Sequence, residues 1–248
     1  MKKVFILSIV MLFSINLLHA QDRYNNVQWS VAAGSMIMPQ ASFLDLNGGT
    51  IDVQEPGQML PLSLSVQFER EYMVASRLGL GWTLGAGLRN GGWKATVPAA
   101  TPNLGTTPSE DWALSIPMVG GAANGGIYAS FHLAPWFEIY ASAGAAAVRY
   151  WNVSGSAVSS STIDNEATDS ADEEIVATLL GAYGQLGFKV LFRNDYFVSL
   201  SARYSYSLTE GAADGLFNWS DAAYSTRVTA PFASDLSVML GVGVMLED

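Results

Sequence analysis

Between residues 174 and 208 the chain alternates apolar residues with small or polar ones over two long runs, EIVATLLGAYGQLGFKVLF and YFVSLSARYSYSL, joined by RND. In the first run Val176, Thr178, Leu180, Ala182, Gly184, Leu186, Phe188 and Val190 share one face, and Tyr183, Gln185, Gly187 and Lys189 the other. In the second, Val198, Leu200, Ala202, Tyr204, Tyr206 and Leu208 lie opposite Ser199, Ser201, Arg203, Ser205 and Ser207. A period of two held this long outlasts the usual strand of about five or six residues. It predicts strands that cross a bilayer at a tilt and continue beyond it.

The same alternation recurs along the chain. Residues 27–38 set Val27, Trp29, Val31, Ala33 and Ile37 against Gln28, Ser30, Ala32 and Gly34, and residues 60–69 set Leu60, Leu62, Leu64, Val66 and Phe68 against Pro61, Ser63, Ser65, Gln67 and Glu69. A turn is predicted at 70–73. Residues 74–89 then carry Leu78, Leu80, Trp82, Leu84, Ala86 and Leu88 on one side, with a row of glycines, Thr83, Arg77 and Arg89 on the other. Such a row suits a narrow lumen that must admit bulky side chains from across the barrel. Residues 112–133 read either as one strand bent at Pro117 and the glycine run from Gly120 or as a short loop strand followed by a spanning strand from Gly125. The single bent strand is adopted because it keeps long and short connections alternating. Residues 136–151 are the next strand and residues 235–246 the last. Neither face of that last segment is polar, which excludes a soluble barrel with a water-facing exterior. Eight strands result, with long connections at 39–59, 90–111, 152–173 and 209–233 alternating with short ones. The expected fold is therefore an all-β, eight-stranded antiparallel transmembrane barrel with short periplasmic turns and long extracellular loops.

Composition agrees with little water-facing surface. Charged residues are 14% of the chain, against roughly 25% in soluble domains. The net charge of -10 disfavours nucleic acid as a partner. The absence of cysteine excludes disulfides and thiolate metal sites. At the amino terminus, Lys2 and Lys3 precede an apolar run to Leu18 and a small Ala20, the pattern of a cleaved secretory signal peptide over 1–20, leaving a barrel domain over 21–248.

In strand number, loop asymmetry and alternation the chain resembles the small eight-stranded outer-membrane β-barrel family, the OmpA-transmembrane-domain and OmpX-like proteins, in particular the Bacteroidota type. The resemblance implies residence in the cell outer membrane, contact with its lipid and insertion by the barrel-assembly machinery. The family's chains typically end in an aromatic residue; here Leu246 is the nearest substitute in the sequence Met245, Leu246, Glu247, Asp248.

Five inward-facing charges, Glu69, Arg77, Glu138, Lys189 and Arg203, are expected to meet as ion pairs in the lumen, because isolated charges there would be costly. They plug the barrel in this reading; a gate or ion path is the alternative. His132 shares a face with Ser130 two residues earlier, and Glu138 follows six later. This spacing admits a Ser/His/Glu hydrolase acting on lipid, but a hydrogen-bonded lumen histidine is the adopted reading, so no enzyme activity and no cofactor are expected. Trp29, Trp82, Trp136, Tyr204 and Tyr206 are assigned to interfacial aromatic girdles. The acidic run 164–174 reads as a solvated loop, available to a surface ligand, and Ser170 lies in a short pattern used for O-glycosylation. The expected role is structural in the envelope or one of surface interaction, with transport of small or hydrophobic molecules as the alternative.

Overall fold

The computed structural model of the chain describes residues 26–38, 43–46, 49–52, 54–97, 112–153, 156–159, 175–192, 195–209, 213–214, 226–228 and 234–247. Eight strands form the wall: β1 (Asn26–Ile37), β2 (Gln54–Ala75), β3 (Leu78–Val97), β4 (Trp112–Ala134), β5 (Phe137–Val153), β6 (Ile175–Phe192), β7 (Tyr196–Ser207) and β8 (Ser234–Glu247). Each pairs antiparallel with its neighbour in sequence, and β1 pairs with β8 from Asn26↔Glu247 to Ile37↔Leu236. That last pairing closes the ring and leaves no free edge in the wall.

The period of two sorts the side chains as the alternation predicts. Leu64, Leu84, Leu186, Val238, Leu240 and Val242 stand exposed on the outside, while Gln67, Gln185, Ser199, Ser201 and Met239 are buried inside. Leu186 and Leu240 are 65% and 61% exposed. An exterior this apolar has a lower free energy against acyl chains than against water. Inward glycines make room for large neighbours. A Cβ on Gly243 would lie 2.3 Å from the Phe197 ring, and one on Gly187 would lie 2.7 Å from the Tyr140 ring. Both rings come from the adjacent strand, so these glycines seat side chains from next door and not, as expected, from across the barrel.

Strand lengths are unequal. β2 and β4 have 22 and 23 residues, whereas β1 and β7 have 12 each. At about 3.3 Å per residue β2 is ~70 Å long, far more than a bilayer core of ~30 Å requires even at a steep tilt. Part of the chain assigned to long loops is thus strand. β2 begins at Gln54, β3 runs on to Val97, and Ser156–Ser159 pairs with the outer end of β4. A small second sheet joins Phe43–Leu46, Gly49–Asp52, Ala213–Asp214 and Thr226–Val228, linking segments from the first and fourth long connections. Pro56 and Pro61, which cannot donate to a ladder, both fall at register shifts of the β2–β3 pairing, between Gln54 and Gly57 and between Met59 and Leu62.

The first short turn differs from expectation. It lies at Ser76 and Arg77, four residues later than the charged stretch at 70–73 suggests. β2 continues its alternation through Glu71, which is buried, and Tyr72 and Val74, which are exposed. The bent segment with Pro117 is a single strand. The acidic run up to 174 and Ser170 lie outside the described residues.

Candidate functional site: the polar column inside the barrel

The inward positions of all eight strands bring polar and charged groups together in the lumen, and most of these groups are almost fully buried. Nearest the short turns the column centres on the Lys189 ammonium of β6. It donates to Gln28 Oε1 of β1 at 2.6 Å, Glu69 Oε2 of β2 at 2.6 Å and Tyr128 Oη of β4 at 2.7 Å, and lies 3.2 Å from Glu138 Oε1 of β5. The Tyr128 hydroxyl in turn donates to Glu138 Oε1. Three N–H donors are thereby used on three strands and the tyrosine carries the contact to a fourth. The ammonium also sits 4.5 Å from the Tyr140 ring centre and 4.8 Å from that of Tyr128, distances at which ring faces attract a cation.

Glu71 forms the neighbouring node. Its Oε1 accepts from Ser130 Oγ and lies 3.0 Å from His132 Nε2, and its Oε2 accepts from Gln28 Nε2 at 3.3 Å. Gly79 of β3 faces this carboxylate, and a Cβ there would lie 1.9 Å from Glu71 Oε1. Further up the barrel, Gln67 and Gln185 bond across the lumen at 3.1 Å, and Gln185 accepts from Arg203 Nε and Nη2 at 3.1 and 2.8 Å. Arg203 Nη1 donates to Asn124 Oδ1 at 3.0 Å. Above that layer Arg89 of β3 pairs with Asp235 of β8, beside a void of about 20 Å³ bordered by Tyr150 and Ser205.

Of the five charges expected to meet, the structure brings together Glu69, Glu138 and Lys189. Arg203 is buried in the same lumen but is held by the neutral amides of Gln185 and Asn124. Arg77 stands exposed in the β2–β3 turn, where its backbone carbonyl accepts from His132 N at 2.8 Å. The turn's later position explains this, since the residue falls past the end of the inward row. Ser130 and His132 do face the lumen together, yet each is bonded to Glu71, and no direct hydrogen bond between them occurs among the described residues. Trp29, Trp82 and Trp136 are exposed toward the short-turn end, with Phe68 between the first two at 4.6 and 5.2 Å. Tyr204 and Tyr206 are exposed toward the opposite end of β7.

Sequence reading missed Glu71, Tyr128, Gln28 and Asp235. For Glu71 the signal was present, because it continues the inward series Ser65, Gln67, Glu69. The other three carry no mark separating them from ordinary lumen filling.

No protein-family model matches the chain, and no curated protein matches it. Among solved structures it is similar to the outer membrane protein OprG from Pseudomonas aeruginosa, with 12% identity over 91% of this chain and 97% of that one at a TM-score of 0.51. Weaker likenesses include a major outer membrane protein from Thermus thermophilus, 14% identical over 89% and 99% of the two chains at 0.45, and Ail of Yersinia pestis, 8% identical over 90% and 100% at 0.42. The closed eight-stranded meander, its apolar exterior and the OprG likeness agree: this is an integral membrane protein with the fold of the small eight-stranded outer-membrane β-barrels.

Proposed function

We propose that the polar column is a plug that braces the barrel, and that the protein serves the envelope as a structural or surface-interaction element without catalysing a reaction. The observation that carries this reading is the Lys189 ammonium, bonded or paired to β1, β2, β4 and β5 from its own place on β6. A group that ties five of eight strands together occupies the section an ion would have to cross. The binding of Ser130 and His132 to a common carboxylate supports leaving out a hydrolase. The long outer strands β2 to β4 supply the surface available to a ligand outside the cell. Export by a cleaved signal peptide, insertion by the barrel-assembly machinery and the aromatic girdles belong to the same proposal.

The test is conductance in planar lipid bilayers. The purified protein is expected to give no single-channel steps, and Lys189→Ala is expected to admit them. Regular steps from the unaltered protein would overturn the plug. A second reading, passage of hydrophobic molecules through the wall, is favoured by an apolar recess of about 600 Å³ lined by Leu62, Leu64, Leu88 and Val119 beside the Pro61 register shift. Filling it with Leu88→Trp would slow uptake of a hydrophobic dye into proteoliposomes under that reading and leave it unchanged under the first.

A further inference from the structure

Two buried atoms next to the Lys189 node, His132 Nδ1 and Glu138 Oε2, have no hydrogen-bond partner among the described residues, and they face each other at 3.9 Å. His132 is 3% exposed and Glu138 is fully buried. The other imidazole nitrogen, Nε2, lies 3.0 Å from Glu71 Oε1, the geometry of an N–H donated to a carboxylate. In the neutral imidazole that makes this bond, Nδ1 carries a lone pair that points at a carboxylate oxygen. Two electron-rich atoms so placed repel unless something positive lies between them. The local charge points the same way. Glu69, Glu71 and Glu138 bring three carboxylates into this layer against the single ammonium of Lys189, so the described residues leave it negative even if His132 is protonated.

We propose that Glu71, His132 and Glu138 form a site for one divalent transition-metal ion of the zinc class. The three residues each offer a ligand atom within 4.8 Å of the others. Tetrahedral bonds of ~2.0–2.2 Å set two ligand atoms about 3.3–3.6 Å apart, so the 3.9 Å gap between Nδ1 and Oε2 closes onto an ion with a shift of a few tenths of an ångström. Glu71, on the far nitrogen, is the carboxylate that orients a metal-bound histidine, with Nδ1 and Glu138 Oε2 facing the ion. An imidazole with carboxylates suits zinc, iron or nickel better than calcium or magnesium, whose ligands are oxygens alone. Gly79 belongs to the site by omission of a side chain, because a Cβ there would lie 1.9 Å from the Glu71 oxygen and 2.5 Å from Ser130 Oγ.

The experiment uses the full chain folded in detergent, stripped with a chelator, and then given Zn²⁺ or Co²⁺ alone. About one ion per chain is expected to survive desalting. His132→Gln and Glu138→Gln are expected to weaken retention at least tenfold, while Ser130→Ala, which removes only a donor to Glu71, retains the ion. Folding of each variant is read from its gel mobility before and after heating. Should a variant fail to fold, the visible absorption of Co²⁺ on the unaltered protein decides. Nitrogen and oxygen ligation in a site without inversion symmetry supports the site, and a spectrum equal to that of aqueous Co²⁺ overturns it. Retention equal in unaltered and His132→Gln protein, or no retention at all, also overturns it, leaving the pair bridged by a proton or a water molecule.

Discussion

At the scale of single residues the lumen is governed by partner counting. Lys189 is buried with two carboxylates in reach, Glu69 at 2.6 Å and Glu138 at 3.2 Å, so the cost of changing it is set by what its removal strands. Lys189→Met is expected to destabilise the barrel by about 3–5 kcal/mol, measured as a lower urea midpoint for loss of the folded, heat-sensitive gel band. Adding Glu69→Gln and Glu138→Gln to that variant should recover much of the loss, because the two uncompensated charges go with them. A comparable recovery is not expected for Gly243→Ala, where the added methyl lies 2.3 Å from the Phe197 ring and 2.4 Å from the Trp29 carbonyl oxygen. Overpacking of this kind costs about 1–3 kcal/mol in the same measurement.

At the scale of strands, what the sequence made legible follows from the period. Alternation gave the wall, the inward face and the presence of Glu69, Glu138 and Lys189 on it, because a two-residue repeat cannot slip without turning every leucine inward. It did not give the ends. Arg70 and Glu71 look like a turn when charge alone is read, yet the inward side of β2 tolerates both Glu69 and Glu71 because Lys189, Gln28 and Ser130 arrive from other strands. Those partners lie 43 to 120 residues away, and local pattern holds no information about them. The loop strands escaped for a related reason, since Gly- and Pro-containing stretches read as breaks while pairing with distant segments supplies their order. Depth along a strand also sets substitution cost. Leu240, outward and near the middle of β8, should cost about 2–4 kcal/mol as Arg, whereas Val27, outward at the start of β1, should cost about 0–1 kcal/mol. Equal costs at the two positions, measured by equilibrium unfolding in liposomes, would count against the lipid-facing assignment.

At the scale of the whole molecule, closure and plugging are one event. The bonds of Lys189 to Gln28 and Glu69 run from β6 to β1 and β2, and the Arg89–Asp235 pair joins β3 to β8, so these wait for the ring to close, whereas Lys189 and Glu138 are already cross-strand neighbours on β6 and β5. Until the first and last strands zip together, these ionic groups face water and cost nothing. Once the ring shuts, they lose that water and must find each other at the same moment. The column thus works as a latch thrown by the final seam: a partly assembled barrel holds only the contacts between neighbouring strands, and the finished one adds the bonds that cross the lumen.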